Sequence, residues 1–367
     1  MGIWKRTEPL RVGFLPVSDS APLVYAYEAG LFAKYELDVH LQRETGWANV
    51  RDKVICGDLD AAQAPATLPF LSNIGVGTDP CTCVSGLVLS LQGNAITLSR
   101  QLWEQGVKDA ETLREQIFKE WGKRTYTFAV ASSFSVQEVM LRRWLQSAGI
   151  DPEVAVRIVV APPAQLFPML KLGYIDGYCV GEPWSSVAVQ AEAGVCVATS
   201  AELAPLHPEK VLMVRQSFAI GRADEHERLS AALLEACAFC DEPRNRVMLS
   251  EMLAHPRYVN APLECIKAGL VGPFESGGHR IQSLLDMTIF HRHNANDPSE
   301  AKAKWIMDHL HDLLQLRVFK RPHLRWAPVL KNVFRPDIFA RAKAVMLEEA
   351  QRLEAEAQVY RAGNRTR

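Results

Sequence analysis

A chain of 367 residues, 48% of them hydrophobic, has the length for two domains and the apolar content for a sizeable core. Its 41 basic and 42 acidic side chains leave a net charge of −1, which argues against a general nucleic-acid or polyanion binder. No apolar run reaches the ~20 residues of a membrane span, so neither direct nucleic-acid contact nor membrane insertion is expected.

Residues 1–9 hold no charged-then-apolar leader, and a cytoplasmic location is therefore expected. Residues 10–15 read as a first strand. A helix over about 23–29 stops at Gly30, residues 37–41 alternate as a strand does, a second helix covers 49–56, and a short strand covers 59–63. This β-α-β-α-β order belongs to a parallel sheet. Residues 85–99 look like a strand pair or crossover. A charged helix then carries Leu113, Ile117 and Trp121 at i, i+4 and i+8. Residues 126–131 form a strand and 136–147 a helix, followed by strands ending at Val160 and near Val180. Helices are expected over 224–255, 302–314 and 338–360, with a break at Gly277-Gly278.

A phrase recurs inside this order. Gly57-Asp58-Leu59-Asp60-Ala61-Ala62 returns as Gly173-Tyr174-Ile175-Asp176-Gly177-Tyr178, each copy preceded by a helical stretch. Two similar α/β units predict two lobes facing a cleft, a preferred place for a small ligand. The expected division is 1–98 with 215–330 for lobe one, 99–214 for lobe two, and a helical extension over 331–367.

Signs of catalysis are missing. There is no G-x-S-x-G, H-E-x-x-H, Walker or G-x-G-x-x-G motif. Cys237-Ala238-Phe239-Cys240 is a lone C-x-x-C inside a helical pattern, and the eight cysteines read as buried free thiols. His291 and His293 have poor spacing for a helical metal site. The expectation is a binding protein, not an enzyme, with no cofactor, no metal and no catalytic residue. Helix starts that follow strands, at Ser18-Asp19-Ser20, Ser132-Ser133-Phe134-Ser135 and Pro183-Trp184-Ser185, suit an anion.

Five phrases resemble a known family in motif order: Gly46-Trp47-Ala48-Asn49-Val50-Arg51-Asp52-Lys53, Gly93-Asn94-Ala95-Ile96-Thr97-Leu98-Ser99, Ala161-Pro162-Pro163, Val180-Gly181-Glu182-Pro183-Trp184 and His207-Pro208-Glu209-Lys210-Val211-Leu212. The chain resembles the NrtA- and CmpA-like nitrate- and bicarbonate-binding proteins of ABC transporters, and the cytoplasmic nitrate/nitrite sensors of the NasS type. The resemblance implies an α/β, type II periplasmic-binding-protein fold with two α/β lobes around a ligand cleft. It implies that Trp47 donates its indole N–H to an anion, that Gln92 or Asn94 supplies an amide, that Pro163 and Val180 form walls, and that Lys210 neutralises nitrate. Without the resemblance, Trp47 reads as a core aromatic and Lys210 as a surface lysine. Bicarbonate-binding members carry an acidic residue where Lys210 stands and use it with a metal ion. Gln137 stands where the family usually has histidine; glutamine still donates an N–H but never becomes cationic, which predicts a less pH-sensitive pocket. The implied function is a nitrate or nitrite sensor whose lobe closure controls a response-regulator-like, NasT-type antiterminator. The alternative is the solute-binding component of an ABC transporter that meets a membrane permease. An enzyme of the same fold would need a nucleophile–base pair, which the sequence does not display.

Overall fold

The computed structural model describes residues 8–278, 281–282, 287–317 and 332–365. The expected leaderless start, residues 1–7, and part of the expected C-terminal extension, residues 331 and 366–367, lie outside them.

Strands β1 (Leu10–Phe14), β2 (Val39–Arg43) and β3 (Ala61–Pro65) are parallel, with β1 in the middle. Helices Ala21–Glu28 and Trp47–Cys56 lie in the connections. β3 is buried along its whole length, as a central strand covered on both faces must be. The chain continues through β4 (Cys83–Val84) and β5 (Val88–Gln92), then β6 (Asn94–Ser99), β7 (Tyr126–Val130), β8 (Val156–Val160), β9 (Gly177–Gly181) and β10 (Gly194–Thr199), and returns as β11 (Pro208–Arg215). A short pair, β12 (Phe274–Glu275) and β13 (Ile281–Gln282), precedes β14 (Thr288–Ile289).

These strands form two mixed sheets. The first runs β14-β5-β11-β3-β1-β2, with β4 also paired to β11; the second runs β10-β6-β9-β7-β8. Of the two readings of residues 85–99, strand pair or crossover, the crossover holds, because β5 and β6 lie in different sheets. Gln92 and Gly93 both take left-handed backbone (φ 63° and 98°), and there the chain leaves one sheet for the other. A Cβ on Gly93 would also sit 2.8 Å from Thr288 Oγ1. β6 accordingly belongs to the second sheet, while β11 is inserted antiparallel between β3 and β5 in the first. The sheets thus put residues 94–98 and 208–214 on the opposite side of the divisions drawn from sequence. Those pairings are long-range and leave no local periodicity to read.

The repeated phrase does the same work twice. Asp60 accepts the Arg11 backbone N–H through Oδ2 (2.9 Å), and its own N–H donates to the Arg11 carbonyl (2.9 Å). Asp176 treats Thr127 identically, at 2.7 Å in both directions. Arg11 and Thr127 are the second residues of β1 and β7, so each aspartate clamps β3 or β9 to its parallel neighbour.

The lobes are in contact. Ser18 N–H donates to the Glu182 carbonyl (2.6 Å), and the Trp184 indole donates to the Pro16 carbonyl (3.0 Å). A Cβ on Gly269 would meet Glu182 Cγ at 2.9 Å, so glycine permits the close approach of helix Leu263–Leu270. Helix Glu300–Arg317 also spans the two halves. Its Ile306, Leu310 and Leu314 join the apolar cluster containing Val88 and Val211, and its Leu313 joins the one under β7. The long helix Pro336–Arg365 packs against helix Ala223–Asp241. No described helix is long and apolar enough to cross a membrane.

One periodic expectation fails at its end. Leu113 and Ile117 are buried on helix Ala110–Lys119, but that helix stops before Trp121, which is 54% exposed.

Candidate functional site

Trp47 is the first residue of helix Trp47–Cys56, which starts two residues earlier than the sequence indicates. Its ring is buried, and its Nε1–H has no acceptor. Lys210 Nζ lies 5.5 Å from the ring centroid, within cation–π range. The two residues that the sequence singles out most strongly therefore share one interior space.

Lys210 is fully buried, contrary to its surface reading from sequence alone. It sits on β11 opposite Pro65 of β3 and Ser90 of β5, where the register against β5 shifts on both sides of it. A regular strand would send Glu209 and Lys210 to opposite faces; an irregularity re-aims side chains, and here Lys210 Nζ donates to Glu209 Oε1 at 2.7 Å. Lys210 Nζ also lies 2.8 Å from Asp19 Oδ2. Asp19, on the turn Ser18–Ser20, accepts from Gln63 Nε2 at 2.6 Å, and Gln63 Oε1 accepts the Leu15 N–H.

The expected single lysine is thus a triad of one ammonium and two carboxylates. Burial works against the Lys210 charge, but Asp19 and Glu209 outweigh it and hold its pKa above the ordinary value. Burial pushes the Asp19 carboxyl upward, against the pull of Lys210. Glu209 Oε2 has no hydrogen-bond donor. His207 Nδ1 lies 3.8 Å from it, but burial lowers this imidazole to about 3 and keeps it neutral. Asp19 and Glu209 were not identified as ion-pair partners from sequence. The Ser18-Asp19-Ser20 helix-start signal marked the place, but nothing local showed that β11 would bring Lys210 to it.

The second lobe supplies neutral groups. Ser135 caps helix Val136–Ser147, accepting the Glu138 N–H, and this directs Gln137 inward. Gln137 Nε2 donates to Asn94 Oδ1 at 3.0 Å, leaving Asn94 Nδ2 and Gln137 Oε1 without partners. The two lobes' groups converge at Gly181: a Cβ there would lie 3.6 Å from Asn94 Oδ1 and 3.8 Å from Asp19 Oδ2. Between the two amides of that stretch, Asn94 joins this cluster. Gln92 Oε1 instead accepts the Leu206 N–H at 2.7 Å. Val180 is a buried core residue beside Gly181, and Pro163 is buried at the start of helix Pro163–Lys171. Among the described residues, no three His, Cys, Asp or Glu side chains are grouped to hold a metal ion.

Buried donors without acceptors are rare and costly. Trp47 Nε1 and Asn94 Nδ2 are two of them, the first beside the Lys210 ammonium and the second on β6 of the other sheet. The model of the NMT1-like family matches residues 5–254. The chain belongs to that family. It is 31% identical over 311 residues to the nitrate/nitrite binding protein NrtA of Synechococcus elongatus, covering 81% of this chain and 69% of that one. It is 37% identical over 336 residues to the nitrate import ATP-binding protein NrtC of Synechocystis, covering 91% of this chain and 49% of that one. The chain thus spans about half the length of the ATP-binding relatives it matches. The crystal structure of the periplasmic nitrate-binding protein NrtA from Synechocystis superposes with a TM-score of 0.85 at 24% identity, covering 93% and 89% of the two chains. The ligand-binding component of an ABC-type import system from Staphylococcus aureus superposes at 0.70 and 14% identity, covering 92% and 99%. The periplasmic-binding-protein fold read from the motifs is the fold of this NMT1-like chain.

Proposed function

We propose that this chain binds nitrate or nitrite between its lobes as the solute-binding module of an ABC-type import system. The observation that carries the reading is the pair of unpaired buried donors, Trp47 Nε1 beside the Lys210 ammonium and Asn94 Nδ2 on the second sheet. A planar monovalent oxyanion accepts from all three. Gln137 Nε2 bonds Asn94 Oδ1 and so steers the free Nδ2–H of that amide. Pro163 and Val180 are assigned to the walls, and Gln92 orders the loop at Leu206 instead of meeting the ligand.

Closure couples binding to a partner only if the anion prefers the closed arrangement. The names of the relatives, which include ATP-binding import proteins, support a permease and ATPase as the partner. In a cytoplasmic sensor of the NasS type, the same closure would act on a response-regulator-like antiterminator. Calorimetry with nitrate, nitrite, bicarbonate and chloride tests the ligand: saturable one-to-one heat with nitrate or nitrite and none with chloride is expected. Equal heats for all four, or none, reject the reading. Capture of the ATPase subunit, dependent on nitrate, supports transport; nitrate-dependent release of an antiterminator would shift the assignment to sensing.

A further inference from the structure

We infer that the anion enters this site together with a proton, taken up by Asp19. The inference rests on the proposed anion site and concerns what that site must do to its own charge. One ammonium and two carboxylates, all buried, give the triad an excess negative charge when both acids are ionised. A second negative charge in the same space is repelled, and desolvation strengthens the repulsion. Lys210 alone cannot offset it, because Asp19 and Glu209 already hold two of its hydrogen-bonding directions.

Protonation of Asp19 removes the conflict. The carboxylate takes a proton from solvent and becomes a carboxylic acid; no other bond is made or broken. Oδ1 continues to accept from Gln63 Nε2. Oδ2, which approaches Gly181 from the side opposite Asn94, turns from an acceptor of Lys210 into an O–H donor toward the anion. Lys210 keeps Glu209 and gains the anion. A buried acid beside a like charge is the group that protonates first, and burial already raises Asp19.

The groups around Asp19 leave few other proton acceptors. From β3 it meets neutral Gln63, and from β11 Glu209 and Lys210; His207 borders Glu209 and is kept neutral. From β6 and β9 come neutral Asn94 and Gly181. The Glu182 carboxylate points to Ser186, and only its backbone carbonyl faces the Ser18 turn.

The test is nitrate titration calorimetry at pH 8 in phosphate and in Tris, whose protonation enthalpies differ. Uptake of about one proton per nitrate is expected, with affinity falling roughly tenfold per pH unit on the alkaline side. Asp19→Asn should abolish the uptake, flatten the profile and bind nitrate more tightly than the wild type at pH 8. If that variant does not fold, Asp19→Ser is measured in the same two buffers and is expected to lose the uptake, uptake retained there overturning the inference. Nitrate binding without proton uptake overturns the inference and leaves the anion site standing. Uptake retained in Asp19→Asn, or lost in Glu182→Gln, also overturns it by placing the proton elsewhere. Absence of nitrate binding in every buffer removes the anion site and this inference together.

Discussion

The two halves of the molecule share a scaffold and differ in charge. Each uses an aspartate, Asp60 or Asp176, to clamp an equivalent pair of parallel strands, β1 with β3 or β7 with β9. Around Gly181 the first half presents Asp19 with its partners Lys210 and Glu209, whereas the second presents the amides Asn94 and Gln137. The duplicated backbone thus builds equivalent strand pairs, and the side chains that differ between the halves are ones the repeat does not specify. The buried charges belong to one half, and the neutral amides belong to the other.

The largest break in that comparison should come from Lys210→Ala. Removing the ammonium strands two buried carboxylates, a loss of about 3–5 kcal/mol, read by denaturant unfolding, together with loss of nitrate binding. Asn94→Ala in the amide half should weaken nitrate binding with a far smaller loss of stability. Equal stability losses would show that the charge asymmetry is unimportant.

Next comes Glu182 at the lobe contact. Burial raises its carboxyl from 4.5 to about 7. Between these values the folded chain holds a proton that the unfolded chain has released, so stability falls as pH rises from 4.5 toward 7. The total is of order 3 kcal/mol. Glu182→Gln should flatten this slope in melts from pH 5 to 8; an unchanged slope would exclude Glu182 as its source. The less pH-sensitive pocket expected from Gln137 concerns that one side chain; Asp19 and Glu182 are further buried carboxyls with raised pKa values, and no local pattern pointed to them.

The two clamps sharpen the comparison further. Asp60→Asn and Asp176→Asn should each cost about 1–3 kcal/mol through a weakened buried bond, and by similar amounts. A strong inequality would mean the repeat is kept for different reasons in the two halves. Smallest is Trp47→Phe, which removes one donor: nitrate affinity should drop by about 1–2 kcal/mol, with loss of any ligand-dependent indole fluorescence. Unchanged affinity would remove Trp47 from the site.

Local pattern carried the sequence a long way here. Ser135 and the apolar spacing after it define helix Val136–Ser147 to the residue, and the Asp60/Asp176 phrase marks equivalent strands. Lys210 and Trp47 were legible only through the resemblance, because a buried lysine and a surface lysine look alike until their partners are placed. Those partners required β11 to enter the first sheet with a shifted register, and Gly93 to hand the chain from one sheet to the other. Neither event has a period. Trp121 shows the converse: its i+8 spacing continued a pattern after the helix had ended.

The most direct test of the central claim is a crystal structure of the chain grown with nitrate. The account predicts a planar anion between the lobes, within hydrogen-bond distance of Trp47 Nε1, Asn94 Nδ2 and Lys210 Nζ. A nitrate bound elsewhere, with those three groups facing only protein atoms, would contradict it.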